Sequence, residues 1–101
     1  MERKLTTIFA SDVVGFSKMM GLDEVKTLKI LKERRETIDR IIKEHDGVIF
    51  GSAGDSVIAE FSSPLKATEA AVATQRSMTI MNQDKDELEQ MNFRVGINIG
   101  D

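Results

Sequence analysis

Apolar residues recur along the chain with two different periods, and these outline its elements before any single residue is weighed. Residues 5–12, Leu-Thr-Thr-Ile-Phe-Ala-Ser-Asp, are β-rich and free of breakers, which predicts a first strand. Val13-Val14-Gly15-Phe16-Ser17 predicts a turn around the first glycine. Beyond it, Leu28, Leu31, Ile38, Ile42 and, less regularly, His45 fall at helical spacing, with Asp23 placed to cap the start and Gly47 to stop the end. Val48–Phe50 and Ser56–Phe61 flank Gly51-Ser52-Ala53-Gly54-Asp55, two apolar runs around a glycine-rich tip, which predicts a β-hairpin. Ser63-Pro64 supplies an N-cap and a proline at the first helical position. The helix that follows gathers Ala67, Ala70, Ala71, Thr74, Met78 and Met81 on one side, the methionines as core. An acidic connection from Asp84 to Glu89 leads to a last strand, Phe93–Ile99.

The resulting order is β-α-β-β-α-β. No repeat, linker or low-complexity segment interrupts it, so residues 1–101 are expected to form one domain. This order predicts an α+β, ferredoxin-like split βαβ fold with helices on one face of the sheet. The expected strand order is 4-1-3-2, with every neighbour antiparallel. In that layout the end of the first strand lies beside the starts of the third and fourth. Asp12, Asp55 and Arg94 should therefore converge at one end of the sheet.

Two aspartates sharing a site repel each other, and a divalent cation resolves the conflict. Mg²⁺ takes one or two carboxylates together with substrate phosphates. Gly15 allows a tight turn beside Asp12, so that the amides of Phe16 and Ser17 could face a phosphate. Each feature alone has an ordinary explanation. An aspartate at a strand end is usually a turn residue, Gly54-Asp55 is a common hairpin tip, and Arg94 could simply pair with a nearby acid. His45 is expected to interact with the carbonyl end of its helix rather than to act as base or ligand.

Composition narrows the classes further. An apolar fraction of 41% and a charged fraction of 31% belong to a globular domain, and the net charge of -3 implies no general attraction to polyanions. Lys29, Lys32, Arg34, Arg35, Arg40 and Lys43 alternate with acids, including the i,i+4 pairs Glu36–Arg40 and Asp39–Lys43, so a solvated helix face is expected. Trp and Tyr are absent, which disfavours a stacking platform, and no nucleic-acid partner is expected. There are no cysteines, no apolar run near the roughly 20 residues that span a bilayer, and no signal-peptide pattern. A cytoplasmic location is expected.

Three strings carry a more specific signal. Phe9-Ala-Ser-Asp12-Val-Val-Gly15-Phe16-Ser17, then Gly47-Val-Ile-Phe-Gly-Ser-Ala-Gly54-Asp55-Ser-Val-Ile-Ala-Glu-Phe61, then Phe93-Arg94-Val-Gly96-Ile97-Asn98-Ile-Gly100-Asp101 stand in order along the chain. Together they resemble the motifs of class III adenylate and guanylate cyclase catalytic domains, bacterial ones above all. The resemblance implies that Asp12 and Asp55, with the Val13 carbonyl, would hold two Mg²⁺ or Mn²⁺ ions. The amides of Val14, Gly15, Phe16 and Ser17 would bind the triphosphate, and Arg94 would contact its phosphates. It further implies a homodimer that converts a nucleoside triphosphate, ATP in preference to the alternative GTP, into a 3′,5′-cyclic nucleotide and pyrophosphate.

Two departures accompany the resemblance. Many adenylate cyclases carry a base-reading lysine four residues before the second metal aspartate, where this chain has Gly51. The family domain also continues past the fourth strand, so this chain is expected to be an incomplete domain, truncated there, that turns over little nucleotide alone. A non-catalytic, cyclase-like dimerisation or nucleotide-sensing module is the alternative. A diguanylate cyclase ranks lower, because its Gly-Gly-Asp/Glu-Glu-Phe hairpin differs from Gly-Ser-Ala-Gly-Asp-Ser.

Overall fold

A computed structural model describes residues 5–100. Asp101, the last residue of the third motif, and residues 1–4 of the expected domain lie outside the described residues. The elements are β1 (Thr6–Val13), α1 (Phe16–Leu22), α2 (Glu24–Glu44), β2 (Val48–Ala53), β3 (Ser56–Phe61), α3 (Pro64–Asn82), a 3₁₀ turn (Glu87–Glu89) and β4 (Phe93–Gly100). The sheet order is β2-β3-β1-β4 with every pair antiparallel, which is the expected α+β ferredoxin-like arrangement. No described helix is long and apolar enough to cross a membrane.

Strand alternation sets the two faces of the sheet. Phe9 and Val13 of β1, Val57, Ala59 and Phe61 of β3, and Phe93 of β4 point toward the helices and are buried. They meet Ile38, Ile41 and Ile42 of α2 and Ala67, Ala70 and Met78 of α3 in one core. Phe9 and Phe61 pack with ring centroids 6.0 Å apart. The alternate residues Ala10, Asp12, Ser56, Ile58, Arg94 and Gly96 line a shallow depression on the uncovered face.

Several local features differ from the sequence-based expectation. A separate seven-residue helix, α1, fills part of the segment before Asp23. Asp23 does cap α2, accepting from the Lys26 amide at 3.0 Å, but its own extended backbone also ends α1. The strand pairing of the hairpin runs to its tip, leaving only Gly54 and Asp55 as the turn, because a bulge at Phe50 restores the register. Leu28 is 45% exposed, since the buried stripe of α2 runs through Thr27, Ile30, Leu31, Arg34, Ile38 and Ile41. Arg34 is consequently not part of a solvated face. The i,i+4 pairs that form are Arg35–Asp39 and Arg40–Glu44, not Glu36–Arg40 and Asp39–Lys43.

The end of α2 shows which residue bears the turn. Asp46, at φ 64, takes the left-handed position, and the amides of Asp46 and Gly47 donate to the carbonyls of Lys43 and Ile42. Gly47 serves a steric purpose instead. A Cβ there would lie 2.5 Å from Phe61 Cζ and 2.7 Å from Ile42 Cγ2. His45 Nδ1 donates to Ile41 O at 2.7 Å, the helix-end contact expected for it.

Candidate active site

The register of β1 with its two neighbours assembles the site. Asp12 stands opposite Arg94 in the β1–β4 pair, and Arg94 Nε donates to Asp12 Oδ1 at 2.8 Å. On the other side, Ser11 pairs with Val57, so two steps further along Val13 comes level with Asp55. The Val13 amide donates to Asp55 Oδ2 at 2.9 Å. The hairpin turn thus places a carboxylate at the end of β1 without needing a side-chain partner. Asp12, Asp55 and Arg94 come together at one sheet end as the strand order requires.

Arg94 records both acids. The hydrogen bond it donates to Asp12 raises its pKa above the ordinary arginine value, followed by the charge of Asp12; desolvation opposes this and the charge of Asp55 adds a little. Each carboxylate commits one oxygen, Asp12 Oδ1 to Arg94 and Asp55 Oδ2 to Val13. The other oxygen of each has no hydrogen-bond partner among the described residues. The described residues hold no group of three or more His, Cys, Asp and Glu that could chelate an ion by themselves. Two carboxylates with hard oxygen donors are chemically suited to a divalent cation such as Mg²⁺ or Mn²⁺.

The turn after β1 supplies donors. Gly15 adopts φ 68, ψ 31, a left-handed conformation that a β-carbon would strain, and so reverses the chain between β1 and α1. The amides of Gly15, Phe16 and Ser17 have no acceptor among the described residues, as expected for the opening of a helix. Val14 corrects the sequence-based expectation. Its amide already donates to Asn92 O at 2.8 Å, because the β1–β4 pairing continues into the segment before β4. Val14 is an anchor of the loop and not one of its free donors.

Gly51 lies opposite Ile58 on the same face as Asp12. A Cβ added there would sit 3.4 Å from Ile58 Cβ, an ordinary contact, so the position accepts a side chain but has none. The depression beside Asp12 and Arg94 is modest, about 240 Å³. A larger groove of about 370 Å³ lies between α1, α2 and the 3₁₀ turn, over the Lys26–Glu89 ion pair. We place the site at the sheet end, where two carboxylates, a guanidinium and unpaired amides converge. Sequence reasoning missed Asn82, Asn92, Gln75 and the burial of Arg34. The signal for Arg34 was its place between Ile30 and Ile38, four residues from each on the apolar stripe.

Comparison with known proteins adds relatives to this geometry. Residues 2–101 match the family described as adenylate and guanylate cyclase catalytic domain. The putative adenylate cyclase 3 of Rhizobium meliloti (strain 1021) is 38% identical over 102 residues, covering 100% of this chain and 17% of that protein. The adenylate/guanylate cyclase/hydrolase structure from Silicibacter pomeroyi superposes with a TM-score of 0.87 at 36% identity, over 98% of this chain and 58% of that one. The guanylyl cyclase Cya2 superposes with a TM-score of 0.83 at 28% identity, over 98% and 55%. The chain therefore spans a little over half of these solved domains and a small part of the longer relative.

Proposed function

Because the chain belongs to the adenylate and guanylate cyclase catalytic domain family, we propose that it carries the metal- and phosphate-handling part of a nucleotidyl cyclase site. The observation that carries this reading is the meeting of Asp12, Asp55 and Arg94 at the end of β1, reached by three separate strand segments.

In this reading Asp12 and Asp55, with the Val13 carbonyl, would hold two Mg²⁺ or Mn²⁺ ions. Bound there, the metal supplies a lowered pKa for the ribose 3′-hydroxyl and neutralises phosphate charge. The amides of Gly15, Phe16 and Ser17 receive phosphate oxygens in place of water. Arg94, on an exposed and long side chain beside Asp12, would contact the phosphates of the triphosphate. The ribose 3′-oxygen forms its bond to the α-phosphorus and its proton leaves to solvent. The bond from the α-phosphorus to the bridging oxygen breaks, and pyrophosphate departs with the electron pair. Positioning and electrostatics supply most of the acceleration.

ATP is the assigned substrate over GTP, since Gly51 presents no carboxylate to the edge of a guanine. The similarity to a protein named as a putative adenylate cyclase supports the same choice. A homodimer fits the uncovered sheet face, where Ala10, Ile58 and Gly96 surround the two charged residues. The test is cyclic nucleotide formation by the full-length protein with Mn²⁺ and ATP or GTP, beside Asp12→Ala and Asp55→Ala. Each substitution is expected to lower kcat by about 10³-fold or more. Activity within a few-fold of wild type in either variant removes the metal assignment.

A further inference from the structure

Arg34 is the one charged side chain among the described residues that is fully buried, 1% exposed, and no carboxylate hydrogen-bonds to it. Its Nη1 donates to Met91 O at 2.8 Å and lies 3.6 Å from Met78 Sδ, while Nη2 donates to Asn82 Oδ1 at 2.6 Å. Burial lowers its pKa from the ordinary arginine value. A methionine would fill similar space without the desolvation cost of a guanidinium. What methionine lacks is a planar fork that reaches two acceptors on two separate segments at once.

Those acceptors lead to the site. Asn82 Oδ1 also accepts from the Met91 amide at 2.9 Å, and Asn82 Nδ2 donates to Met91 O and to Asn92 Oδ1, each at 3.1 Å. Gln75 Nε2 donates to Phe93 O at 2.7 Å. Side chains from α2 and α3 thus hold the backbone of residues 91–93, where the chain enters β4. This segment has two outputs. The Asn92 carbonyl receives the Val14 amide at the base of the Gly15 turn, and the next residue after Phe93 is Arg94, opposite Asp12.

We infer that Arg34, acting through Asn82 and the backbone of Met91 and Asn92, is a positioning residue for the proposed cyclase site. It fixes the loop that carries the phosphate-facing amides and the register at which Arg94 meets Asp12. The inference rests on the proposed function for its catalytic consequence, but the positioning itself is a statement about Val14 and residues 91–93. A misplacement near 1 Å at a reacting centre costs on the order of 10²-fold in rate.

The test compares Arg34→Met and Asn82→Asp with Ile38→Val, a buried change on the same helix, in the full-length protein. Asn82→Asp keeps an acceptor for Arg34 and for the Met91 amide, and puts a charged oxygen against Met91 O and Asn92 Oδ1 where Nδ2 donated to them. The measurements are kcat and KM at saturating Mn²⁺, and hydrogen exchange at the Val14 amide relative to the Phe9 amide. Both variants are expected to lose about 10- to 100-fold in kcat, while Ile38→Val stays within about threefold. Val14 exchange is expected to accelerate about tenfold or more in both, with Phe9 protected as before. If Arg34→Met does not fold, Asn82→Asp decides alone. A folded variant with kcat and Val14 exchange both within about threefold of wild type overturns the inference. If the wild-type protein forms no cyclic nucleotide, the function falls, and Val14 exchange still decides the positioning.

Discussion

Replacing Gly47 with alanine puts a methyl group where the structure has no room for one. The added carbon would stand 2.5 and 2.6 Å from two ring atoms of Phe61 and 2.7 Å from Ile42 Cγ2. Neither neighbour can yield cheaply. Both are 1% exposed, and the Phe61 ring is packed on Phe9. Relief requires the hairpin to move away from α2 or the ring to leave its packed position. Overpacking of this kind costs about 1–3 kcal/mol, and two simultaneous clashes place Gly47→Ala near the upper end. For a domain of this length that corresponds to a fall in Tm of roughly 12–24 °C. The backbone at Gly47 is not left-handed, so the loss is steric and not conformational.

Two companions separate these causes. Gly51→Ala, with its nearest contact at 3.4 Å, is expected to change stability by less than about 0.5 kcal/mol. Asp46→Gly places glycine at the position that is left-handed, and is expected to stabilise by up to about 1 kcal/mol, less the exposed ion pair with Lys66. Thermal and urea unfolding of the three variants measure these differences. A Gly47→Ala protein that melts within about 4 °C of wild type refutes the reasoning, because it would mean the Phe61 ring moves freely.

Further outcomes follow from the charged contacts. Arg94→Ala removes an exposed pair, so Tm should stay within about 2 °C while KM for the nucleotide rises about tenfold or more; an unchanged KM would exclude Arg94 from phosphate binding. The Lys26–Glu89 pair, at 3.0 Å, raises the Lys26 pKa above 10.5, first through the hydrogen bond from Lys26 to Glu89 and then through its charge. A lysine pKa raised on folding contributes stability that is fully present below 10.5 and is lost as pH climbs through the raised value. The small Tm difference between wild type and Glu89→Gln should therefore close in alkali and shrink in high salt. A difference that persists under both conditions would point to packing and not charge.

Much of the site was legible because strand order alone dictates it. Once the β-α-β-β-α-β order is read from periodicity, the ends that carry Asp12, Asp55 and Arg94 have to meet. Asp23 and Ser63 were legible as caps because a short polar side chain before a periodic run satisfies an amide that nothing else reaches. What was hidden depended on contacts between segments. Arg34 looks like one more cation on a charged helix until its neighbours along the apolar stripe are considered. Val14 looks like a phosphate donor until the segment before β4 takes its amide. Gly47 looks like a left-handed stop because a glycine after a helix usually is one. The sequence does not show that Asp46 tolerates that conformation while Phe61 needs the empty space.

The place of β1 in the middle of the sheet has a consequence for how the site comes into being. The β2–β3 hairpin closes between neighbours in the chain, Ala53 and Ser56, whereas the Arg94–Asp12 bond joins residues 82 positions apart. By the logarithmic dependence of loop entropy on length, the second closure costs roughly 3 kcal/mol more than the first. Asp55 is therefore set in its turn by local chain alone, Val13 and Asp12 reach it when β1 pairs with β3, and Arg94 arrives only when the two ends of the described fold meet. A molecule that has lost the docking of its edge strand β4 keeps the hairpin and loses the Arg94–Asp12 contact. The charged cluster is in this sense a report on the completeness of the whole fold.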